Sequence, residues 1–124
     1  MSLLPAVKPY GRSLRYAWAG IRFLCRSERN MRIHLPALAL LIFLGFITGL
    51  SPLEWSLLLF QAAAVIGTEA INTALERLTD RCIAGLSETA RIVKDLAAAA
   101  VLILALSAVF TAALLFIPKW LIYV

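Results

Sequence analysis

From Trp55 to Asp80 the chain reads WSLLLFQAAAVIGTEAINTALERLTD. The first half of this stretch carries no charge, and the second half gathers carboxylates without losing its helical character. At about 100° per residue, Glu69, Asn72, Thr73, Glu76 and Asp80 fall within roughly one third of a helix circumference. The apolar part alone is too short to cross a bilayer, which takes about 20 helical residues. The span reaches full length only if Glu69 and Asn72 lie inside the membrane or at its edge. An ionisable group at that depth costs on the order of 2–4 kcal/mol unless it is paired or wet, so its presence points to function. Asn72 or Thr73 alone would be an ordinary interhelical contact. Glu69 and Glu76 together are harder to explain that way. They are seven residues apart, about 10 Å along the axis, and suit two tasks at different depths.

Two further apolar runs flank this one. Leu35 to Leu50, LPALALLIFLGFITGL, and Leu96 to Ile117, LAAAAVLILALSAVFTAALLFI, contain no charged residue. The second run spans a bilayer outright, while the first must borrow residues from its flanks. Pro36 is expected in the first turn of its helix, where a missing N–H costs little. Ser51-Pro52 reads as a tight turn between spans. With 62% apolar and 15% charged residues among 124, the chain is too apolar for a soluble domain of this size. The reading is therefore an all-α membrane protein of one domain, residues 1–124, with spans at about 33–51, 54–76 and 95–118. No cleavable signal peptide is expected, because the first long apolar run begins near Leu35.

The basic residues set an orientation. Lys8, Arg12, Arg15, Arg22, Arg26, Arg29 and Arg32 precede the first span, and Arg77, Arg81, Arg91 and Lys94 lie between the second and third. The turn at residues 51–54 has none, and Lys119 is alone near the end. Positive charge is retained on the cytoplasmic side, which predicts an inside N-terminus and an outside C-terminus, with Trp120 and Tyr123 at the interface. Over about residues 12–32, Leu14, Ala17, Trp18, Ile21, Leu24 and Cys25 recur every three or four positions, with the arginines largely opposite. This is a basic amphipathic helix suited to the membrane surface.

Other residues narrow the chemistry. Cys25 and Cys82 have no metal-site or redox spacing and read as packing residues. The lone His34 reads as a packed side chain rather than a ligand. Glu28 stands in a basic segment, either as an exposed ion pair or as a partner of Glu76, and two carboxylates suit Mg²⁺ with phosphate oxygens and water completing its shell. Lys94 is a ready counter-charge for a phosphate. Together these sketch phosphoryl transfer onto a membrane-borne hydroxyl, although neither GxxxxGK[ST] nor GxGxxG is present. A transporter or proton relay using Glu69 and Glu76 is the alternative, and a structural membrane protein the third reading. The first and third runs hold no ionisable residue, which weakens the relay.

The blocks RYAWAGIRF, ERNMRIHL, EAINTALERLTD and ARIVKDLAAAAVLI occur in this order between about Arg12 and Ile103. In them the chain resembles the small prokaryotic diacylglycerol kinase and undecaprenol kinase family, and the ERNMRIHL form is more similar to the undecaprenol kinase branch. The resemblance implies a surface helix and three spans, a homotrimer with active sites shared between protomers, and a place in the bacterial inner (cytoplasmic) membrane with the site at its cytoplasmic face. It implies an ATP- and Mg²⁺-dependent kinase acting on undecaprenol, diacylglycerol or both, with no nucleic-acid partner. By the same resemblance, Glu69 would be the base that activates the lipid hydroxyl, and Asn72 would orient that hydroxyl or the phosphoryl group. Glu28 and Glu76 would hold Mg²⁺ with the nucleotide phosphates. Arg12, Tyr16, Lys94 and Asp95 would complete the nucleotide site, and Trp18 and Ala98 would join Glu69 around the lipid. Many relatives have a histidine before the K-D pair, where this chain reads RCIAGLSETARIV, so contacts from residues 85–91 are left open. Ala97 to Ala100 stand where relatives often carry a glycine, which bears on helix packing there.

Overall fold

A computed structural model of the chain describes residues 10–85 and 87–124. Lys8, Leu86 and the side chain of Tyr123 lie outside what is described. Four helices follow one another: α1 Tyr10–Ser27, α2 Met31–Thr48, α3 Pro52–Cys82 and α4 Glu88–Tyr123. No strand occurs among the described residues. The last three are long and apolar enough to cross a membrane. With α2 at 18 residues, its length of about 27 Å matches a hydrocarbon core of about 30 Å. At 31 and 36 residues, α3 and α4 exceed that thickness and must tilt or project beyond it.

Local chemistry sets the boundaries. Gly49 sits in the left-handed region at φ 66° and ends α2, returning its N–H to the Gly45 carbonyl. Two residues later Ser51 starts α3 through a reciprocal cap: its backbone N–H donates to Glu54 Oε2 at 2.7 Å, and its hydroxyl accepts from the Glu54 N–H at 3.3 Å. Pro52 takes the first helical position. Pro36 does not. α2 begins at Met31, on the turn that leaves α1, so Pro36 falls inside the helix and removes one backbone hydrogen bond there.

α3 and α4 form an antiparallel pair that carries most of the packing. Leu50, Leu58, Leu115 and Phe116 are buried at the end of the pair that holds the 49–51 turn, with Trp55 and Leu44 against them. At that end Lys119 Nζ reaches Glu54 Oε2 at 3.1 Å, fastening the end of α4 to the start of α3. Nearer mid-helix, Gln61 Nε2 donates to Ser107 Oγ at 2.9 Å and to Thr111 Oγ1 at 3.1 Å. Phe43, Phe46, Ile103, Leu106, Val109 and Phe110 point outward. A surface of that kind belongs in lipid, and the chain is a multi-pass membrane protein.

α1 is attached lightly. Leu24 is its one buried residue, and the Arg77 guanidinium of α3 lies 4.4 Å from the centre of the Phe23 ring. Leu14, Trp18 and Ile21 remain exposed, as the apolar face of an interfacial helix requires.

Candidate functional site

The stripe on α3 grades from buried to open. Glu69 is 1% exposed and Asn72 7%. Thr73 is also buried, Glu76 is half-buried, and Asp80 is exposed. Helical periodicity places these groups in one column, and packing against α4 decides how much water each meets. Glu69, Asn72 and Glu76 line a cavity of ≈ 340 Å³ together with Asn30, His34, Ala98 and Val101. Three helices contribute to it: α3 brings the acids and the amide, α4 brings small apolar side chains, and the start of α2 closes the top.

The polar atoms in this cavity are incompletely matched. Asn30 Nδ2 donates to Glu69 Oε1 at 2.8 Å. Among the described residues Glu69 Oε2, Asn72 Oδ1 and Thr73 Oγ1 are buried without a hydrogen-bond partner. An orphaned buried acceptor costs about 1–3 kcal/mol, and more when charged. Two such acceptors, Glu69 Oε2 and Asn72 Oδ1, belong to residues that line one cavity. They suit a hydrogen-bond donor, and a hydroxyl is the simplest.

One helical turn further along the seam, a second cavity of ≈ 430 Å³ is lined by Asp80, Lys94, Ser87, Glu88 and Arg91. Asp80 follows Glu76 by four residues and Lys94 precedes Ala98 by four, so the two cavities succeed one another along the α3–α4 seam. Here Lys94 is ion-paired with Asp80. Asp95 is exposed and pairs with Arg91 at 3.1 Å. An apolar cleft of ≈ 470 Å³ opens in the opposite direction, lined by Leu38, Leu41, Val65, Ile66 and Ala108 among others. It shares Ile33, His34 and Ala105 with the polar cavity. A molecule with an apolar tail and a polar head could occupy both at once.

The remaining expected residues are distributed around this centre. Glu28 is half-buried in the link from α1 to α2, where the Ser27 hydroxyl donates to its Oε1 at 3.4 Å. Arg12, Tyr16 and Trp18 are exposed on α1 and do not line the polar cavity among the described residues. Neither Glu28 nor Glu76 joins an ion pair among the described residues, although the chain has 12 Lys and Arg. Free carboxylates of this kind fit a hard cation whose remaining shell is water and phosphate oxygen. No group of three His, Cys, Asp or Glu is assembled among the described residues, so a closed protein cage for a metal is not what is offered.

Two cavity residues escape sequence reasoning. Asn30 falls within the stretch of about residues 12–32 that reads as a surface helix, and nothing local marks it. His34 reads as a packed side chain, yet it is half-buried and borders both the polar cavity and the apolar cleft. Their four-residue spacing puts both on one side of the first turn of α2, and that spacing is the signal that links them. Of the cysteines, both free, Cys25 is half-buried and Cys82 exposed at the end of α3, so only Cys25 packs.

Comparison with known proteins fits this arrangement. Residues 15–116 match the prokaryotic diacylglycerol kinase family. A diacylglycerol kinase of Synechocystis sp. is 36% identical over 107 residues, which cover 86% of this chain and 61% of that protein. An undecaprenol kinase of Bacillus subtilis is 32% identical over 108 residues, covering 87% of this chain and 88% of the relative. The chain thus spans less than two thirds of the Synechocystis protein and nearly the full length of the Bacillus one.

Proposed function

The chain belongs to the prokaryotic diacylglycerol kinase family, and from that premise we propose that it transfers the γ-phosphoryl group of ATP to the hydroxyl of a membrane lipid alcohol, in the presence of Mg²⁺. The single observation that carries this reading is the unpartnered Oε2 of the buried Glu69, a residue that lines a cavity sharing Ile33, His34 and Ala105 with an apolar cleft. A lipid alcohol has the matching parts. Its tail suits the cleft, and its hydroxyl supplies the donor that Oε2 and Asn72 Oδ1 lack.

In this mechanism Glu69 Oε2 accepts the hydroxyl proton as the lipid oxygen forms its bond to the γ-phosphorus. The bond from that phosphorus to the β–γ bridging oxygen breaks, and ADP leaves with the electron pair. Asn72 orients the hydroxyl or the phosphoryl group from the same wall. Glu28 and Glu76 would hold Mg²⁺, which when bound supplies positive charge to the phosphate oxygens. Lys94 exchanges Asp80 for those phosphates, and Arg12, Tyr16 and Asp95 complete the nucleotide site. Trp18 and Ala98 border the lipid. A base so deeply buried meets little competing water, which favours transfer to the lipid over hydrolysis.

Sidedness and assembly belong to the same proposal. The arginines of α1 and the basic residues of the α3–α4 link support a cytoplasmic position for both, in what we take to be a bacterial inner membrane. α2 buries only Met31 and Gly45, so most of its apolar surface is available to lipid or to neighbouring protomers. That availability supports a homotrimer with shared sites. A proton relay fits less well, because α3 has no ionisable residue between Glu54 and Glu69.

The test is transfer from labelled ATP by the purified chain in mixed micelles with undecaprenol and with diacylglycerol, each with and without Mg²⁺. Labelled lipid phosphate from at least one alcohol, dependent on Mg²⁺, is expected. No transfer to either, under conditions where the protein is folded, overturns the reading. The undecaprenol kinase of Bacillus subtilis, matched over most of its length, makes undecaprenol the first alcohol to try.

A further inference from the structure

Asn30 occupies the N-cap position of α2, where an asparagine ordinarily turns its side chain back onto the first helical N–H groups. It does not do so here. Its backbone is already helical, at φ −63° and ψ −29°, and its side chain makes no capping hydrogen bond. Its carbonyl accepts from the N–H groups of Ile33 and His34 at 3.0 Å, as in a continuing helix. The side-chain amide instead crosses to another element and donates to Glu69 Oε1 at 2.8 Å, a partner 39 residues away. Local helix chemistry therefore does not account for this asparagine.

We propose that Asn30 is a positioning residue for the base, on the kinase reading given above. Its amide fixes Oε1 and so directs Oε2, the orphaned oxygen, at the acceptor hydroxyl. Without that donor the carboxylate can rotate about its terminal torsion, which is broad and weakly restrained, and present either oxygen or neither. A hydrogen bond from a single amide N–H also leaves Oε2 free, which a bidentate arginine in the same place would not do. Asn30 is not expected to touch the nucleotide, so its contribution should appear in turnover and not in ATP affinity.

The experiment compares Asn30→Asp and Asn30→Ala, alone and combined with Glu69→Gln, in the transfer assay and in thermal unfolding of the detergent-solubilised protein. Aspartate is isosteric, suits the start of a helix, and cannot donate; its carboxylate repels that of Glu69. The expected result is a kcat lower by roughly 10- to 100-fold in both single variants, an ATP KM within about twofold of wild type, a melting transition that stays cooperative, and no further loss when Glu69 is already glutamine. A residue that merely stabilised the α1–α2 link would tolerate aspartate and would lower kcat equally in both backgrounds. Full turnover in Asn30→Asp, a loss confined to the ATP KM, or equal losses in both backgrounds overturns the inference and leaves the kinase reading standing. An inactive wild-type chain overturns both.

Discussion

Glu69 and Asn72 are kept where a fold optimised only for stability would not keep them. Both are buried in a membrane helix, and each has an oxygen with no partner among the described residues. Sites where polar satisfaction fails are where function tends to sit, at a cost in stability. Asn72→Leu, with the same branching and number of side-chain heavy atoms and without the orphaned acceptor, is therefore expected to melt at or above the wild-type temperature while transferring phosphate at least about 100-fold more slowly. A clear fall in melting temperature would make Asn72 a structural contact between helices. At this scale the sequence is half legible. The column Glu69, Asn72, Glu76 and Asp80 follows from helical periodicity alone. Asn30 does not, because its partner is 39 residues away and its local context reads as part of the surface helix.

The elements themselves were easy to foresee, since apolar runs of bilayer length have few other fates. Their ends were not. Pro36 reads as a first-turn residue, where a missing N–H costs little. The helix instead begins at Met31, and that earlier start brings Asn30 and His34 to the cavity. The contact between α2 and α3 is also hidden in sequence. A Cβ on Gly45 would lie 2.7 Å from the Trp55 ring and 2.9 Å from the Leu50 side chain, so α2 meets α3 through a glycine that only packing reveals. Trp55 is further held by the Phe46 ring, 4.9 Å away. Gly45→Leu is expected to destabilise the α2–α3 contact by about 1–3 kcal/mol, read as a lower melting temperature in detergent. Gly67→Ala, with open space at its Cβ and with alanine the better helix former, should not lower that temperature. Equal effects at the two glycines would remove the packing argument.

For the molecule as a whole, charge placement predicts which end faces the cytoplasm, and one native thiol can report it. Cys82 is exposed at the end of α3, close to the polar cavities, whereas Cys25 is half-buried on α1. In a Cys25→Ser variant, a membrane-impermeant maleimide should label Cys82 in inside-out vesicles and leave it unlabelled in intact spheroplasts; the reverse pattern would invert the topology. Assembly is the level least legible in one chain, because residues from a neighbouring protomer leave no periodic trace in it. The unequal burial of α2 and the exposed positions of Arg12 and Tyr16 are the features that an assembly would explain. In the proposed mechanism the buried carboxylate of Glu69 takes the proton of a lipid alcohol as it is phosphorylated. That role is read most directly from the rate of phosphate transfer from ATP to the alcohol by Glu69→Gln beside wild type, both shown by melting temperature to be folded. A rate lower by at least about 100-fold is expected, and a Glu69→Gln protein as fast as wild type would rule Glu69 out as the base.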